Sequence, residues 1–547
     1  MTMTFTSRML VYLVCSLSYY NLAHGASSSG TPFADSPLRD FQVQQPPAIP
    51  HDAHECSITL VRHLFGNSYG QPATVPYNPP VECGEPASWS AVVANITATS
   101  NGTQYDRLAH IYLHGVEVWR TSTPEPTVKG IIWTALKDVT RYTALLAQPG
   151  NLTVDLGNLL DPSSGLTGEY DVTLSITFFG SSSTFSKPKP ADVILPISTV
   201  SGQAASIPDA LITSLTLPRN GAQAIVEIYA TGDSNEEFWY GNVPDQFFGQ
   251  LPTWSAPDGY ANGKGPFREV QLLIDGILAG VVLPYPVIYT GEFLPTIWRP
   301  MVSYGAFDSP TYYIDVSPFL PLLSDGVAHN FTVNVAGMGT DHSINVDWIV
   351  SGNIQLYLDS SSKQTTGAIT SYLAAPYVDP TVTGTVSGPA PNVSVTTAAS
   401  RTLSIEGYVK TGSGKTTTVK WEQLLKYSNS EIYTVTTNNI SAQLYDYGVH
   451  LNHSYSRSLA VPTITANIIN TTQICDGYQY QHELGVRVRT GKIIEEYSFK
   501  DQDGRTYERN VGTYNVANTT SMGTVSEAWL LYNSEGGSLT GIGSHAS

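Results

Sequence analysis

The chain has 547 residues, of which 41% are hydrophobic and only 13% are charged, and its formal net charge is −18. This length exceeds what one hydrophobic core organises, so we expect roughly three or four domains. The acidic balance argues against a nucleic-acid-binding protein, because phosphate contacts need a basic surface that this sequence lacks.

The first 25 residues have the features of a secretory signal peptide. Arg8 precedes an apolar run that starts at Met9 and is too short to span a bilayer, and small residues follow at Ala23, Gly25 and Ala26. We expect cleavage near Gly25-Ala26 and secretion of the mature protein. No later segment has the length and hydropathy of a membrane-spanning helix. Residues 26–56 are rich in Ser, Pro and Gln and are expected to form a flexible leader.

Two blocks of alternating, β-branched segments follow, and each predicts an antiparallel β-sandwich. The first spans residues 57–198 and the second residues 206–360, and residues 180–190 are expected to form an exposed loop or linker. The Asp275-Gly276 dipeptide in the second block is a strong signal for a two-residue hairpin. The predicted strands are Val92–Thr97, Ala109–Leu113, Leu152–Leu156, Tyr170–Phe178, Ala224–Tyr229, Glu269–Ile274, Ile277–Leu283, Tyr312–Val316, His329–Val335 and Ile344–Leu358.

The rest of the chain is also rich in predicted strands. Residues 361–400 are expected to be a linker, and residues 401–547 a β-rich C-terminal region with strands such as Arg401–Lys410 and Lys492–Phe499. Long amphipathic helical patterns are absent from the sequence, which therefore predicts an all-β protein with two sandwich domains and a β-rich C-terminal region.

Cysteines and sequons fit an extracellular protein. Removal of the signal peptide takes Cys15 with it, and we expect Cys56 and Cys83 to form a disulfide that leaves Cys475 unpaired. Nine Asn-x-Ser/Thr sequons are candidate glycosylation sites in surface loops, and roughly a third are expected to be unoccupied. They are Asn95, Asn101, Asn151, Asn330, Asn392, Asn439, Asn452, Asn470 and Asn518.

Two short segments carry candidate chemistry. The segment 104–113 is an alternating strand pattern that begins Gln-Tyr-Asp-Arg, and the segment 235–240 reads Asn-Glu-Glu-Phe-Trp-Tyr. With the segment 120–127 between them, they resemble the acidic peptide:N-glycosidase family of plants and fungi, and more distantly the bacterial peptide:N-glycosidase F enzymes. Further segments at 267–280, 286–291, 298–300 and 314–320 support the resemblance, which covers roughly Ser57 to Asp359.

The resemblance implies two adjacent jelly-roll-like sandwiches and two essential carboxylates. Asp106 matches the Asp-Arg pair of the bacterial enzymes and is followed by Arg107, while Glu237 is the candidate second carboxylate. If the segment is extended, Glu237 shares its face with Trp239, whereas Glu236 lies at the rim in solvent, where its replacement by Gln would change turnover little. We expect Arg107, Glu236, Trp239, Trp298 and Asn158 to contact substrate.

A third carboxylate of the bacterial enzymes has no Glu counterpart near the end of the strand Leu152–Leu156, where Asn158 or Asp161 stands instead. A metal site at His110, His114 and Glu117 is not expected, because imidazoles four residues apart on a strand are about 13 Å apart at ~3.3 Å per residue.

The implied activity is hydrolysis of the β-aspartylglucosaminyl amide bond, which releases the glycan as a glycosylamine and converts Asn to Asp. Asp106 would activate water while protonated Glu237 assists the carbonyl oxygen or the leaving nitrogen, with an optimum on the acid side of neutrality. We expect no metal or other cofactor, an N-glycoprotein or glycopeptide as substrate, no nucleic-acid or membrane partner, and a monomer, with nicking into two chains left open. A two-carboxylate glycoside hydrolase and a non-catalytic glycan-binding or cell-wall protein remain alternatives.

Overall fold

The computed structural model describes residues 47–431, apart from 127–129, 184, 186–188, 200–201, 209, 251–261, 285, 288, 291–304 and 388–391. It also describes the backbone of residues 38–39 and of the strands that follow residue 431. The signal peptide and most of the predicted leader lie outside the described residues.

The described chain consists mainly of β-strands. Those of the first two thirds are β1 Leu38–Arg39, β2 Glu55–Phe65, β3 Ala73–Tyr77, β4 Ala91–Ser100, β5 Leu108–Leu113, β6 Val116–Ser122, β7 Ile131–Asp138, β8 Gly150–Leu156, β9 Tyr170–Phe179, β10 Val193–Ile197, β11 Ala205–Ile207, β12 Leu211–Leu215, β13 Gly221–Gly232, β14 Glu269–Ile274, β15 Ile277–Val282, β16 Thr311–Asp315, β17 His329–Ala336 and β18 Trp348–Leu358. The remainder are β19 Thr366–Ala374, β20 Thr381–Ser387, β21 Asn392–Lys410, β22 Thr416–Asn438, β23 Leu444–Ala460, β24 Ile469–Asp476, β25 Tyr478–Glu483, β26 Val486–Val488, β27 Thr490–Lys500, β28 Thr506–Ala517, β29 Gly523–Tyr532 and β30 Ser538–Ala546. The all-β prediction is confirmed.

The α-helices of the described residues are single turns: α1 Thr143–Leu146, α2 Asp245–Phe248 and α3 Leu320–Leu323. Short 3₁₀ turns cover Val81–Cys83, Thr140–Tyr142, Pro162–Ser164, Ser234–Glu236, Trp239–Gly241, Ser317–Phe319 and Thr340–His342. Within the part of the chain that the structure describes, no helix has the length and apolar character needed to cross a membrane.

The first sandwich stacks a five-stranded sheet, in the order β1-β7-β4-β9-β2, on a four-stranded sheet, in the order β3-β8-β5-β6. Alternate residues point inward, as in β7, whose burial alternates strictly along its eight residues. The core between the sheets includes Trp89, Trp119 and Phe178, each with no exposed surface. Removing one such aromatic side chain would cost about 3–5 kcal/mol.

A disulfide closes the start of this sandwich. Cys56 at the beginning of β2 is bonded to Cys83 in the Val81–Cys83 turn, with 5.2 Å between the two Cα atoms. The indole NH of Trp89 donates to the carbonyl oxygen of Cys83 at 2.8 Å, which ties this turn to the core. The predicted Cys56–Cys83 pairing is therefore confirmed.

The second sandwich stacks the sheet β10-β18-β13-β16, with β11 also paired to β18, on the sheet β12-β17-β14-β15. Asp275 and Gly276 form the two-residue turn between β14 and β15, both with positive φ, as predicted. The predicted end of the first domain at residue 198 is wrong. Val193–Ile197 pairs with β18 of the second sandwich, so the connection between the sandwiches lies between β9 and β10.

The C-terminal strands β19–β30 form one antiparallel sheet. The predicted linker at 361–400 contains β19, β20 and the start of β21, so it is part of this sheet rather than a connection. One face of the sheet packs on the second sandwich: Gln423 exchanges two hydrogen bonds with the backbone of Val281, at 2.7 and 2.9 Å, and Asn429 donates to the carbonyl of Tyr240 at 2.7 Å.

Strand β6 joins the two sandwiches through buried polar contacts. Arg120, which is 0% exposed, binds Glu117 with two hydrogen bonds of 2.8 Å. Its remaining terminal nitrogen donates across the interface to the Thr231 hydroxyl at 3.0 Å and the Ile349 carbonyl at 2.7 Å. These contacts hold the end of β13 beside β5 and β6, and the candidate site forms there.

Candidate active site

Asp106 and Arg107 lie immediately before β5, at the rim of the four-stranded sheet. The β5–β6 hairpin continues beyond its last paired residues, because the backbone of Arg107 accepts a 2.9 Å hydrogen bond from Thr123 and donates one to the Thr123 hydroxyl at 2.9 Å. This extension places Asp106 next to the buried segment that contains Glu125. The regular strand begins at Leu108, one residue before the predicted start at Ala109, so the alternating pattern does not mark a strand over its first four residues from Gln104.

The Arg107 side chain is held by three oxygen atoms. Its guanidinium donates to Gln104 Oε1 at 2.8 Å, to the Tyr69 hydroxyl at 3.2 Å and to Asn158 Oδ1 at 3.4 Å. Such a fixed guanidinium is a permanent positive charge beside the Asp106 carboxyl group.

Asn158 does not present its amide to solvent. It is 0% exposed, and its side-chain nitrogen donates to the carbonyl oxygens of Phe65 at 3.1 Å and Gly168 at 3.0 Å. The expectation that Asn158 contacts substrate is therefore wrong for this structure, because all its polar atoms have partners inside the protein. It positions Arg107 instead.

The second half of the site is a turn that follows β13. The Asp233 carboxylate accepts a 2.8 Å hydrogen bond from the backbone of Ser234 and begins the 3₁₀ turn Ser234–Glu236. The backbone of Asp233 also exchanges two hydrogen bonds of 2.9 Å with Asp347. The turn is therefore pinned to the start of β18, and Glu237 follows it in helical conformation.

Glu236 is the buried anchor of this turn. It is 0% exposed and accepts hydrogen bonds from Arg268 at 2.5 and 2.7 Å, from the Trp348 indole at 2.8 Å and from the Asn345 backbone at 2.9 Å. Arg268 lowers the pKa of Glu236 despite its burial. The expectation that Glu236 lies at the rim and contacts substrate is wrong, because the segment is a 3₁₀ turn rather than an extended strand.

Four carboxyl groups from the two sandwiches meet around Arg107. Burial, and next the Glu125 carboxylate, raise the pKa of Asp106 to about 8, while Arg107 lowers it. Burial, and next Asp106 and Asp233, raise the pKa of Glu237 well above its ordinary value. Burial also raises the pKa of Asp233. Because the charge of Asp106 raises the pKa of Glu237, these two groups titrate together rather than independently.

Glu125 and Asp233 are the members of the cluster that the sequence did not identify. Glu125 is 5% exposed and lies between Pro124 and Pro126, just past the end of β6. A carboxylate flanked by two prolines after a buried strand is a signal that could have identified it. Asp161, considered for the third carboxylate, instead caps the Pro162–Ser164 turn through Ser163 and Ser164.

The aromatic residues of the second segment are mostly interior. Trp239 is 4% exposed and its ring packs against Tyr240 and Trp348, with centroids 5.6 and 5.9 Å apart. Trp239 also lines a small cavity with Glu237, Tyr289 and Ser309. Trp239 therefore does not present an exposed ring to a substrate, contrary to the substrate contact expected from the sequence. Trp298 lies outside the described residues.

Among the described residues, no group of three or more His, Cys, Asp and Glu side chains has the geometry of a metal site. His110 Nδ1 donates a 2.9 Å hydrogen bond to the Glu117 carboxylate, and His114 occupies the turn at the other end of β5. Of the predicted sequons, Asn101, Asn151 and Asn330 are exposed and Asn95 is half-buried, whereas the other five side chains lie outside the described residues.

Comparison with known proteins shows the family to which the chain belongs. The family model described as "Peptide N-acetyl-beta-D-glucosaminyl asparaginase amidase A" matches residues 44–375, more than half of the chain. The chain belongs to this family. The match includes Asp106, Glu125, Asp233 and Glu237, and a model of the C-terminal domain of the same amidase A proteins matches residues 394–459.

One relative of the chain is the "Peptide-N4-(N-acetyl-beta-glucosaminyl)asparagine amidase A" of Prunus dulcis. It is 34% identical over 423 residues, which are 74% of this chain and 71% of the relative. Among solved structures, recombinant peptide:N-glycanase F covers 56% of this chain and 96% of its own, with 13% identity and a TM-score of 0.36. The match to a structure of PNGF-II covers 56% of this chain and 66% of the PNGF-II chain, again with 13% identity and a TM-score of 0.36.

Proposed function

We propose that this member of the amidase A family is a secreted glycoamidase that hydrolyses the amide bond between Asn and the first N-acetylglucosamine of an N-linked glycan. One observation carries the proposal: a cluster of carboxyl groups with raised pKa values, assembled from both sandwiches around one fixed guanidinium. Titratable groups shifted in this way by burial and mutual charge are typical of catalytic sites.

Two of these carboxyl groups supply the acid and base that an amide requires. Asp106 is the general base, because the adjacent Arg107 favours its ionised form. Arg107 also lowers the pKa of Glu237, but there burial and the charges of Asp106, Asp233 and Glu125 have larger effects and favour the protonated form. The Asp106 carboxylate takes a proton from water as the water oxygen attacks the amide carbon. Proton transfer of this kind contributes about 10²- to 10⁴-fold to the rate.

Glu237 is the general acid, because burial and the charge of Asp106 hold its proton. It donates that proton to the amide nitrogen as the carbon–nitrogen bond breaks, since an unprotonated amide nitrogen is a poor leaving group. The water oxygen remains on the side chain, which becomes Asp, and the nitrogen leaves with the glycan as a glycosylamine.

Glycopeptide hydrolysis in heavy-oxygen water tests this function. We expect one heavy oxygen atom in an Asp that replaces the glycosylated Asn, together with release of the intact glycan. Retention of one N-acetylglucosamine on the Asn would make the chain a glycoside hydrolase, which acts at the anomeric carbon. Binding of the glycopeptide without any product would make it a glycan-binding protein. Both results would contradict the proposal.

Secretion and the substrate class complete the proposal. The apolar N-terminal segment, the Cys56–Cys83 disulfide and the exposed Asn-x-Ser/Thr sites support an extracellular protein that acts on N-glycoproteins or glycopeptides. Detection of the mature protein in the medium, with an N-terminus near Ala26, is the expected outcome. An intact protein retained in the cell with Met1 present would contradict it.

A further inference from the structure

Tyr69 is an exposed aromatic ring beside the carboxylate cluster. Of the Phe, Trp and Tyr side chains in the described part of the chain, it is the most exposed, at 57%. Its hydroxyl accepts the 3.2 Å hydrogen bond from Arg107, and the Arg107 guanidinium carbon lies 5.8 Å from the centre of its ring. Arg107 acts in turn on the pKa values of Asp106, Asp233 and Glu237. One guanidinium group therefore separates the ring from the reacting groups.

The Tyr69 ring packs against the backbone of Gly157. A Cβ atom at Gly157 would lie 2.6 Å from two carbon atoms of the ring, so the ring rests directly on the Gly157 backbone. Any larger residue at position 157 would displace it. The edge of the ring is thus packed while much of its surface remains open to solvent.

The loop that carries Tyr69 is fixed to the same segment. The backbone nitrogen of Ser68 donates to the carbonyl of Asn158 at 3.0 Å, and the Ser68 hydroxyl both donates to the Leu156 carbonyl at 2.6 Å and accepts from the Asn158 backbone at 3.0 Å. The Asn67 side chain accepts from the backbone of Leu160 at 2.8 Å. The loop is therefore preorganised, which lowers the entropic cost of binding a ligand against it.

We infer that Tyr69 forms a glycan subsite, on which a pyranose ring of the N-glycan core beyond the first N-acetylglucosamine stacks. The inference rests on the proposed function and extends it to a specificity-determining residue. The aliphatic C–H face of a pyranose carries partial positive charge and packs on the negative face of an aromatic ring. Trp239, which the sequence suggested as a substrate-contacting ring, is interior, whereas Tyr69 is open and lies next to Arg107.

Matched variants separate stacking from positioning of Arg107. Tyr69→Phe keeps the ring and loses the hydroxyl that Arg107 binds, whereas Tyr69→Ala loses both. Tyr408→Ala is the control, because Tyr408 is 40% exposed on the C-terminal sheet. Steady-state kinetics would use one peptide that carries either a single N-acetylglucosamine or the disaccharide N,N′-diacetylchitobiose.

Stacking predicts that Tyr69→Ala raises KM for the disaccharide glycopeptide by about three- to tenfold and leaves KM for the single-sugar glycopeptide and the acid limb of the pH profile unchanged. Tyr408→Ala should match the wild-type enzyme. Tyr69→Phe should keep the wild-type KM for both glycopeptides, because its ring remains and Gln104 and Asn158 still hold Arg107. Equal KM effects on both glycopeptides, no effect of Tyr69→Ala, or a Tyr69→Phe variant with a displaced acid limb would overturn the inference.

Direct binding keeps this test independent of the proposed activity. The NMR signals of free N,N′-diacetylchitobiose should broaden when the wild-type protein or Tyr69→Phe is added. They should broaden less when Tyr69→Ala is added. This result would support the subsite even if no glycopeptide were hydrolysed. Equal broadening by all variants would overturn the subsite even if the hydrolase activity were demonstrated.

Discussion

Glu236 and Glu237 are adjacent in the sequence and lie in opposite environments. Glu236 is enclosed by Arg268, Trp348 and the Asn345 backbone, and its pKa is lowered. Glu237 is half-buried among the other carboxyl groups, and its pKa is raised well above the ordinary value. The first environment suits a structural anchor, and the second suits an acid that keeps its proton.

This contrast predicts different consequences for the same chemical change. Glu237→Gln should lower kcat by about 10²- to 10⁴-fold with little change in stability, because it removes only the transferable proton. Glu236→Gln should lower the free energy of unfolding by about 3–5 kcal/mol, because it leaves the Arg268 charge buried without its partner. Paired kinetics and urea titrations check both statements. A Glu236→Gln protein as stable as the wild type would contradict the anchoring role.

Glu125 and Arg107 act on Asp106 in opposite directions, which gives a prediction about pH. Glu125→Gln removes a negative charge that raises the pKa of Asp106, so the acid limb of kcat/KM should move to lower pH. Arg107→Met removes a positive charge that lowers this pKa, so the limb should move to higher pH. Profiles of kcat/KM report the free enzyme, and both shifts in the same direction would contradict Asp106 as the base.

The pH optimum of the activity also depends on the pKa of Asp106. The sequence leads us to expect an optimum on the acid side, whereas a pKa of about 8 for Asp106 makes its ionised fraction increase up to that pH. If Asp106 is the base, its raised pKa therefore opposes an acid pH optimum. A kcat/KM profile that peaks near pH 5 would assign the base role to another carboxylate of the cluster, of which Glu125 has the largest effect on Asp106.

At the scale of elements, the turn after β13 depends on a close backbone approach at Gly232. A Cβ atom on Gly232 would lie 2.1 Å from the Glu236 carbonyl oxygen, which is backbone and cannot move alone. We expect Gly232→Ala to lower stability by about 1–3 kcal/mol and to lower kcat, because Glu237 moves with the turn. Gly249→Ala is the control, since a Cβ atom there meets nothing within 4 Å. Identical melting temperatures and kcat values for the two variants would contradict this account.

The alternation of apolar and polar residues in the sequence predicted some of the strands correctly but did not predict the turn that carries Glu237. Strands β14 and β15 and their Asp275-Gly276 turn were predicted almost residue for residue, because alternation and turn chemistry are local signals. The choice of Glu237 over Glu236 assumed an extended segment, which the 3₁₀ turn replaces, so the role of Glu237 remains a prediction supported by different evidence. Glu125 and Asp233 were missed because their proximity depends on the packing of two sandwiches, which local patterns do not encode.

At the scale of the whole molecule, the site exists because two sandwiches are held together by buried polar contacts. The Glu227 carboxylate of β13 accepts hydrogen bonds from Tyr142 of the first sandwich at 2.8 Å and from Tyr313 of its own sheet at 2.8 Å. Together with the Arg120 contacts, this network fixes β13 against the first sandwich. The boundary at β10 was mispredicted because strand order in a sheet is likewise a property of the whole fold.

The assembled cluster makes stability depend on pH. The native protein keeps the Asp106 proton up to about pH 8, whereas an unfolded chain loses it near the ordinary value of 3.8, so the native state binds more protons between these limits. This contribution to stability is fully present below the lower limit and is lost as the pH rises through the upper one. We expect the melting temperature of Asp106→Asn relative to wild type to increase from pH 5 to pH 8. A difference that is independent of pH would contradict the raised pKa.

The most direct test of the account is glycopeptide hydrolysis by Asp106→Asn beside the wild-type protein. The substitution keeps the size of the side chain and removes its basicity, and Asp106 lies outside the regular strands, so the fold should persist. With circular dichroism and melting to establish that both proteins are folded, we predict a loss of turnover of about 10²-fold or more in the variant. Turnover within tenfold of the wild-type value in a folded Asp106→Asn protein would contradict the proposed mechanism.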